Sequence, residues 1–167
     1  LTSTITVNAN KWFQLAVSRS SGTSKMFLDG VEVDSASDTH SYVADALTIG
    51  SYSTGSYGMD GYAEQIRISD VARYTSAFTP STDVLTNDSD TQLLITNGTD
   101  GTQTFDDLST SDHTLTANGD VRWFAPKVGA GAMAFDGTGD YFKYGTDVTD
   151  FEFGAGDFTV ECWMQKD

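Results

Sequence analysis

The run Asp136-Gly137-Thr138-Gly139-Asp140 sets two carboxylates around a loop that glycine can bend until carbonyl oxygens converge beside them. That is the oxygen-rich mixture a hard cation such as calcium takes. Asp60, which opens Asp60-Gly61-Tyr62, joins the set, with Glu64 behind it, where both ends of the chain share one domain. The same acids also close hairpins as Asx turns, and that second reading stays open. Aromatic rings offer a different chemistry, because a π face covers the apolar side of a pyranose while nearby Asp and Asn accept from its hydroxyls. Tyr52 and Tyr57, in the Gly- and Tyr-rich stretch from Ser51 to Met59, and Tyr62 are the candidates for it. Trp12 carries the same kind of face but is assigned to the core.

Catalysis has few pieces to work with. Glycoside hydrolysis needs two carboxyl groups across the scissile bond, and the glutamates Glu32, Glu64, Glu152 and Glu161 are scattered. His40 and His113 stand alone in polar stretches and read as exposed residues, not as ligands or bases. The single cysteine, Cys162, excludes an internal disulfide and a cysteine zinc cage. Asn87-Asp88-Ser89 and Asn97-Gly98-Thr99 match the glycosylation pattern, which is common by chance, and they are given no role.

Charge narrows the partners. Lys and Arg total 9 against 24 Asp and Glu, and the formal charge of −15 repels nucleic acid and anionic lipid surfaces. No apolar run approaches the roughly 18 residues of a membrane span. The opening Leu1-Thr2-Ser3-Thr4 is neither an initiator Met nor a signal peptide, so the sequence reads as an excerpt of a longer protein.

The elements that must position these residues are short strands. Trp12 to Arg19 alternates, with Phe13, Leu15 and Val17 expected inward, and hairpin turns lead into Lys25 to Leu28 and, after Asp29-Gly30, Val31 to Val33. Leu47 to Gly50 is a further strand, and Ser51 to Met59 is too irregular to pair. Asp60 to Ser69 places Tyr62, Glu64, Ile66 and Ile68 on one face. Asp70 to Tyr74 suits one helical turn. A second block of strands begins at Thr91 and ends on Phe158 to Met164, where Cys162 sits with Phe158, Val160 and Met164 as a small buried hydrophobe. The fold class is therefore all-β, an antiparallel β-sandwich with helices nearly absent.

Three stretches together carry a family resemblance. Lys11-Trp12-Phe13-Gln14-Leu15-Ala16-Val17-Ser18-Arg19 through Asp29-Gly30 looks like a Trp-led strand followed by a hairpin ending in Asp-Gly. Asp60 to Ile68 through Ala72-Arg73-Tyr74 is similar to a closing strand, and Ala134-Phe135-Asp136-Gly137 with Gly156-Asp157-Phe158-Thr159-Val160-Glu161-Cys162-Trp163 to an opening pair. The chain thus resembles the laminin G-like jelly rolls of the concanavalin A-like lectin and glucanase superfamily. Here the opening and closing elements stand in reversed order. The expectation is a tandem array read from mid-domain to mid-domain: 1–80 the C-terminal half of one jelly roll, 81–90 a linker, and 91–167 the N-terminal half of the next. One permuted sandwich is the alternative.

The resemblance implies a non-catalytic module that binds a carbohydrate or a cell-surface receptor, on an extracellular or virion-surface protein such as an adhesin or phage fibre. It also implies calcium at a sheet edge. The ligand residues expected are Tyr52, Tyr57 and Tyr62, and the metal residues Asp136, Asp140 and Asp60. Glycans, neighbouring copies of the domain and virion proteins are the partners expected, without nucleic acid or membrane insertion. A purely structural fibre or capsid-decoration module is the alternative. A degenerate glycoside hydrolase ranks third, because the Glu-x-Asp-x-x-Glu spacing of the laminarinase-like members is missing.

Overall fold

A computed structural model describes residues 1–2, 6–43, 47–53, 56–126, 131–145 and 149–167. The first block gives β1 (Trp12–Ser20), β2 (Thr23–Leu28), β3 (Val31–Ser37), β4 (Leu47–Ile49), β5 (Ser51–Ser53), β6 (Ser56–Gly58) and β7 (Asp60–Ser69). The second gives β8 (Thr91–Ile95), β9 (Thr116–Asn118), β10 (Arg122–Phe124), β11 (Ala132–Asp136), β12 (Tyr141–Tyr144) and β13 (Phe158–Lys166). The helical turn expected at Asp70 to Tyr74 does not form; among the described residues the one helical element is a 3-10 turn at Thr149–Phe151.

The main sheet is antiparallel and has eight strands, running β10-β11-β7-β13-β1-β2-β3, with β8 pairing β7 beside that path. β7 is long enough to serve two neighbours along one edge: β11 pairs its first half and β8 its second, while β13 pairs the opposite edge. β13 lies between β1 and β7, so a strand of the second block joins two strands of the first. A three-stranded sheet, β4-β12-β9, packs over one face.

Between the sheets lies an aliphatic and aromatic core built from both blocks. Ile66, Ile68, Leu93, Ile95, Met133 and Phe135 of the main sheet meet Phe142 of the smaller one, with Phe105 and Trp123 filling the end. Phe105 stands edge-on to Phe142 at 4.3 Å, and the buried Trp123 indole N–H donates to the Thr104 carbonyl at 2.7 Å. Aromatic residues thus fill the core while their polar atoms stay bonded.

The expected alternation fails inside β7. Gln65 takes φ 53°, and the β7–β13 register shifts between Glu161 and Trp163. This bulge flips the second half of the strand, so Ile66 and Ile68 share the core face with Ala63, while Tyr62 faces away. Gln65 is held there by its own amide, whose Oε1 accepts the Leu85 N–H at 2.8 Å.

Residues 70–90, which include the turn expected at Asp70 to Tyr74 and the linker expected at 81–90, cross the outer face of the main sheet as a strap. The Arg73 N–H donates to Thr159 Oγ1 at 2.8 Å, and Tyr74 and Phe78 stack at 3.6 Å over Phe27. Gln14, Ala16 and Ser18 of β1 are therefore buried, while Phe13, Leu15 and Val17 on the opposite face are half-buried. Cys162 packs against the core as expected. Burial pushes its thiol up to about 12, and the neighbouring Glu161 carboxylate adds to the shift.

Candidate functional site

β7 and β11 meet with Asp60 opposite Asp136, two carboxylates from distant parts of the sequence facing each other across one ladder. Like charges so placed are destabilising unless a cation neutralises them. The turn after β11 closes as an Asx turn, with Asp136 Oδ1 accepting the Thr138 N–H at 2.7 Å. Asp140 is different, being only 1% exposed. Its Oδ1 accepts the Asp120 N–H at 2.7 Å and its Oδ2 the Asp136 N–H at 3.0 Å, which ties the β9–β10 turn to the end of β11. Gly119 makes the approach feasible: at φ +75° it needs no side chain, and a Cβ there would lie 2.1 Å from Asp140 Oδ1.

Asp120, Asp136 and Asp140 each offer a carboxylate oxygen, all within 4.8 Å of one another. Together with Asp60, Asp167, Arg122 and Tyr62 they line an open cleft of about 350 Å³ at this edge of the main sheet. Arg122 brings a positive charge, 3.4 Å from Asp120, and both side chains are largely exposed. The donor set is all oxygen, with carbonyls on the same turns, which fits a hard dication and no softer metal.

Tyr52 and Tyr57 do not line this cleft; they sit on a hairpin that meets its Asp136–Asp140 turn. The stretch Ser51 to Met59, expected to be unpaired, forms the β5–β6 hairpin, with Ser51 opposite Gly58 and Ser53 opposite Ser56. Its base is closed by the Met59 N–H, which donates to the carbonyl of Gly50, just past β4, at 2.7 Å. At Gly58 the hairpin touches the Asp136–Asp140 turn so closely that a Cβ would sit 2.8 Å from the Gly137 oxygen. The two rings project into solvent, 84% and 88% exposed, with centroids 6.2 Å apart. All six expected residues, Tyr52, Tyr57, Tyr62, Asp60, Asp136 and Asp140, thus gather at one end of the sandwich. Asp120, Asp167 and Arg122 complete the cleft and carried no sequence signal beyond the Asn118-Gly119-Asp120 turn.

The carboxylates of Glu161 and Asp107 are also buried, and both are internally satisfied. Glu161 Oε1 accepts from Arg67 Nε and Nη2 at 2.8 and 2.6 Å, and its Oε2 accepts from the Tyr74 hydroxyl at 2.7 Å. Burial and the Glu161 charge together hold the Tyr74 phenol well above its ordinary pKa. Asp107 accepts from the N–H groups of Leu94, Ser109 and His113 and from the Ser109 hydroxyl. His113, expected in the open, is buried instead: its ring lies 4.1 Å from Tyr144, and its Nε2 is 3.4 Å from Asp150. His40 is exposed as expected.

The antiparallel strands and two packed sheets are those of a β-sandwich. Residues 1–82 match a laminin G family model described as the concanavalin A-like lectin/glucanases superfamily, which supports a laminin G-like fold over that part of the chain. No curated protein and no solved structure matches the chain.

Proposed function

We propose that the chain is a non-catalytic carbohydrate- or receptor-binding module of an extracellular or virion-surface protein, of the kind an adhesin or phage fibre carries. The observation that supports this best is the open cleft where Tyr62 adjoins the carboxylates of Asp60, Asp120, Asp136 and Asp140, next to the hairpin that carries the exposed Tyr52 and Tyr57. Tyrosine faces take the apolar side of a sugar, and the carboxylates take its hydroxyls or hold a calcium ion that does so. Asp120, Asp136 and Asp140 are the residues that would hold that ion, with Asp60 facing Asp136 across the β7–β11 ladder. Lack of catalysis is supported by the glutamates: Glu161 is buried in an ion pair with Arg67, and Glu32 pairs with Lys25 at 2.9 Å on the surface.

Both blocks act as one sandwich in this reading, supported by their shared core and by β13 lying between β1 and β7. Neighbouring copies of the module or virion proteins are its other partners. No helix among the described residues is long and apolar enough to cross a membrane.

The alternative, a purely structural fibre or capsid-decoration module, draws support from the strap over the sheet's outer face, which leaves only part of that face open. The test is a glycan array run in calcium alongside binding to intact cells, comparing the native protein with Tyr57→Ala and Tyr62→Ala. Binding that falls about tenfold in these variants supports the binder. No binding to any glycan or cell leaves the structural module.

A further inference from the structure

The strap covers only part of the outer face of the main sheet, and a row of side chains beyond it is open. Trp12 lies opposite Gln165, Gln165 opposite Tyr62, Tyr62 opposite Ala134, and Ala134 opposite Arg122. One residue from each of five successive strands therefore lies on a line of about 19 Å, from four gaps of about 4.8 Å. The rings lean toward one another along it. Trp12 and Tyr62 have centroids 6.4 Å apart, and Tyr62 and Phe124, on β10 beside Arg122, 5.5 Å apart. Phe124 is 48% exposed and the other two are half-buried, so each keeps an open surface. Gln165 supplies an amide between the first two rings, and the small Ala134 leaves a dip between Tyr62 and Arg122. The acidic cleft adjoins this dip, and Tyr62 belongs to both.

We propose that the row Trp12, Tyr62 and Phe124 is the platform on which a linear, non-anionic glycan lies across the strands, its ring faces on the aromatics and its hydroxyls over the cleft. Length favours a chain of sugars over a single one, since three stacking surfaces stand in series. Charge selects the kind of chain. The rim holds Asp60, Asp120, Asp136 and Asp167 against Arg122, in a molecule of formal charge −15, and it stays net negative even with one dication among the carboxylates, so uronic, sialic and sulfated sugars meet repulsion while neutral or amine-bearing ones do not. The interplanar angles of 45° and 39° give the platform a turn, as the twist of a sheet imposes on any row running across its strands. The proposal rests on the glycan-binding reading and adds the surface, the length and the charge class.

The deciding experiment is calorimetric titration of the native protein and of Phe124→Ala and Trp12→Ala with hexasaccharides of β-linked glucose or N-acetylglucosamine, and with hexasaccharides of equal length that carry a uronic acid on alternate sugars. Neutral chains are expected to bind at least ten times more tightly than anionic ones, and each substitution to weaken them about five- to tenfold. Phe124 is exposed, so its variant keeps the native melting temperature and separates lost stacking from lost folding. Equal or tighter binding of the anionic chains overturns the proposal, as does neutral binding unchanged in Phe124→Ala. Binding lost only in Tyr57→Ala also overturns it while leaving the glycan-binding reading in place; no binding to any glycan removes both.

Discussion

Calcium added to metal-free protein should raise its melting temperature by about 8 °C, a figure that follows from the spacing of the carboxylates. Oxygens of Asp120, Asp136 and Asp140 lie within 4.8 Å of one another, and each pair at that distance repels by about 0.9 kcal/mol in water-like surroundings. Three pairs store about 2.6 kcal/mol, which a dication between them releases. Mass action gives a similar size: a site of Kd about 0.1 mM, within the range of extracellular calcium modules, gains about 2.7 kcal/mol at about 10 mM calcium. A chain of 167 residues unfolds with an entropy of about 350 cal/mol/K, so this gain corresponds to about 8 °C. Differential scanning calorimetry in chelator and then in calcium measures it, with magnesium and sodium chloride at matched ionic strength beside it. Asp136→Asn keeps an acceptor for the Thr138 N–H and removes a charge, so its metal-free form should melt at or above the native temperature and respond little to calcium. A shift under 2 °C, an equal shift in magnesium, or an undiminished shift in Asp136→Asn would refute the reasoning.

Three further outcomes test the fold around the site. Arg67→Met strands the buried Glu161 carboxylate and should cost about 3–5 kcal/mol in denaturant unfolding, most of it regained in Arg67→Met with Glu161→Leu; a single substitution costing under about 1 kcal/mol contradicts the buried pair. The Arg73 guanidinium, at 2.9 and 2.7 Å from the two Asp88 oxygens, holds that carboxyl below the usual carboxylate range. Stability from a depressed acid is present above its unfolded pKa of about 3.9 and is lost as pH falls through the folded value, so melting temperature should drop more steeply below about pH 4 in the native protein than in Asp88→Asn. Parallel pH curves would show that the pair, whose Asp88 is partly exposed, is screened away. Cys162, with its thiol raised to about 12, should resist iodoacetamide at pH 8 until the protein is unfolded, and rapid labelling of the native state would place it outside the core.

Periodicity and turn chemistry made the strands legible, because a half-buried strand must alternate and Asp-Gly closes hairpins. The face that each strand presents was less legible. In β7 the alternation Tyr62, Glu64, Ile66, Ile68 runs unbroken in the sequence, yet the bulge at Gln65 divides it, and that bulge depends on Leu85, twenty residues away. Trp12 reads as core by its place in an apolar strand but lies half-buried on the outer face beside Tyr62. The same distance problem governs the site. Asp136 and Asp140 signal themselves through Asp-Gly-Thr-Gly-Asp, whereas Asp120 and Asp167 reach the cleft only through the meeting of two turns and the end of β13. His113 is hidden from a local reading because its cover, Tyr144 and Phe151, lies about thirty to forty residues on.

The position of β13 has a mechanical consequence. Among the described residues it is the strand that joins β1, β2 and β3 to the rest of the main sheet, since β1 pairs with β2 and β13. Trp12 and Gln165 are direct partners at one end of that ladder. Tension applied at these two points loads the backbone bonds one after another, as a zipper, where strands pulled in shear would share the load among all their bonds at once. The module then yields first along the β1–β13 seam, after which the strap, through Tyr74 and Phe78 packed on Phe27, still holds the β1–β2–β3 meander to the β7-centred core.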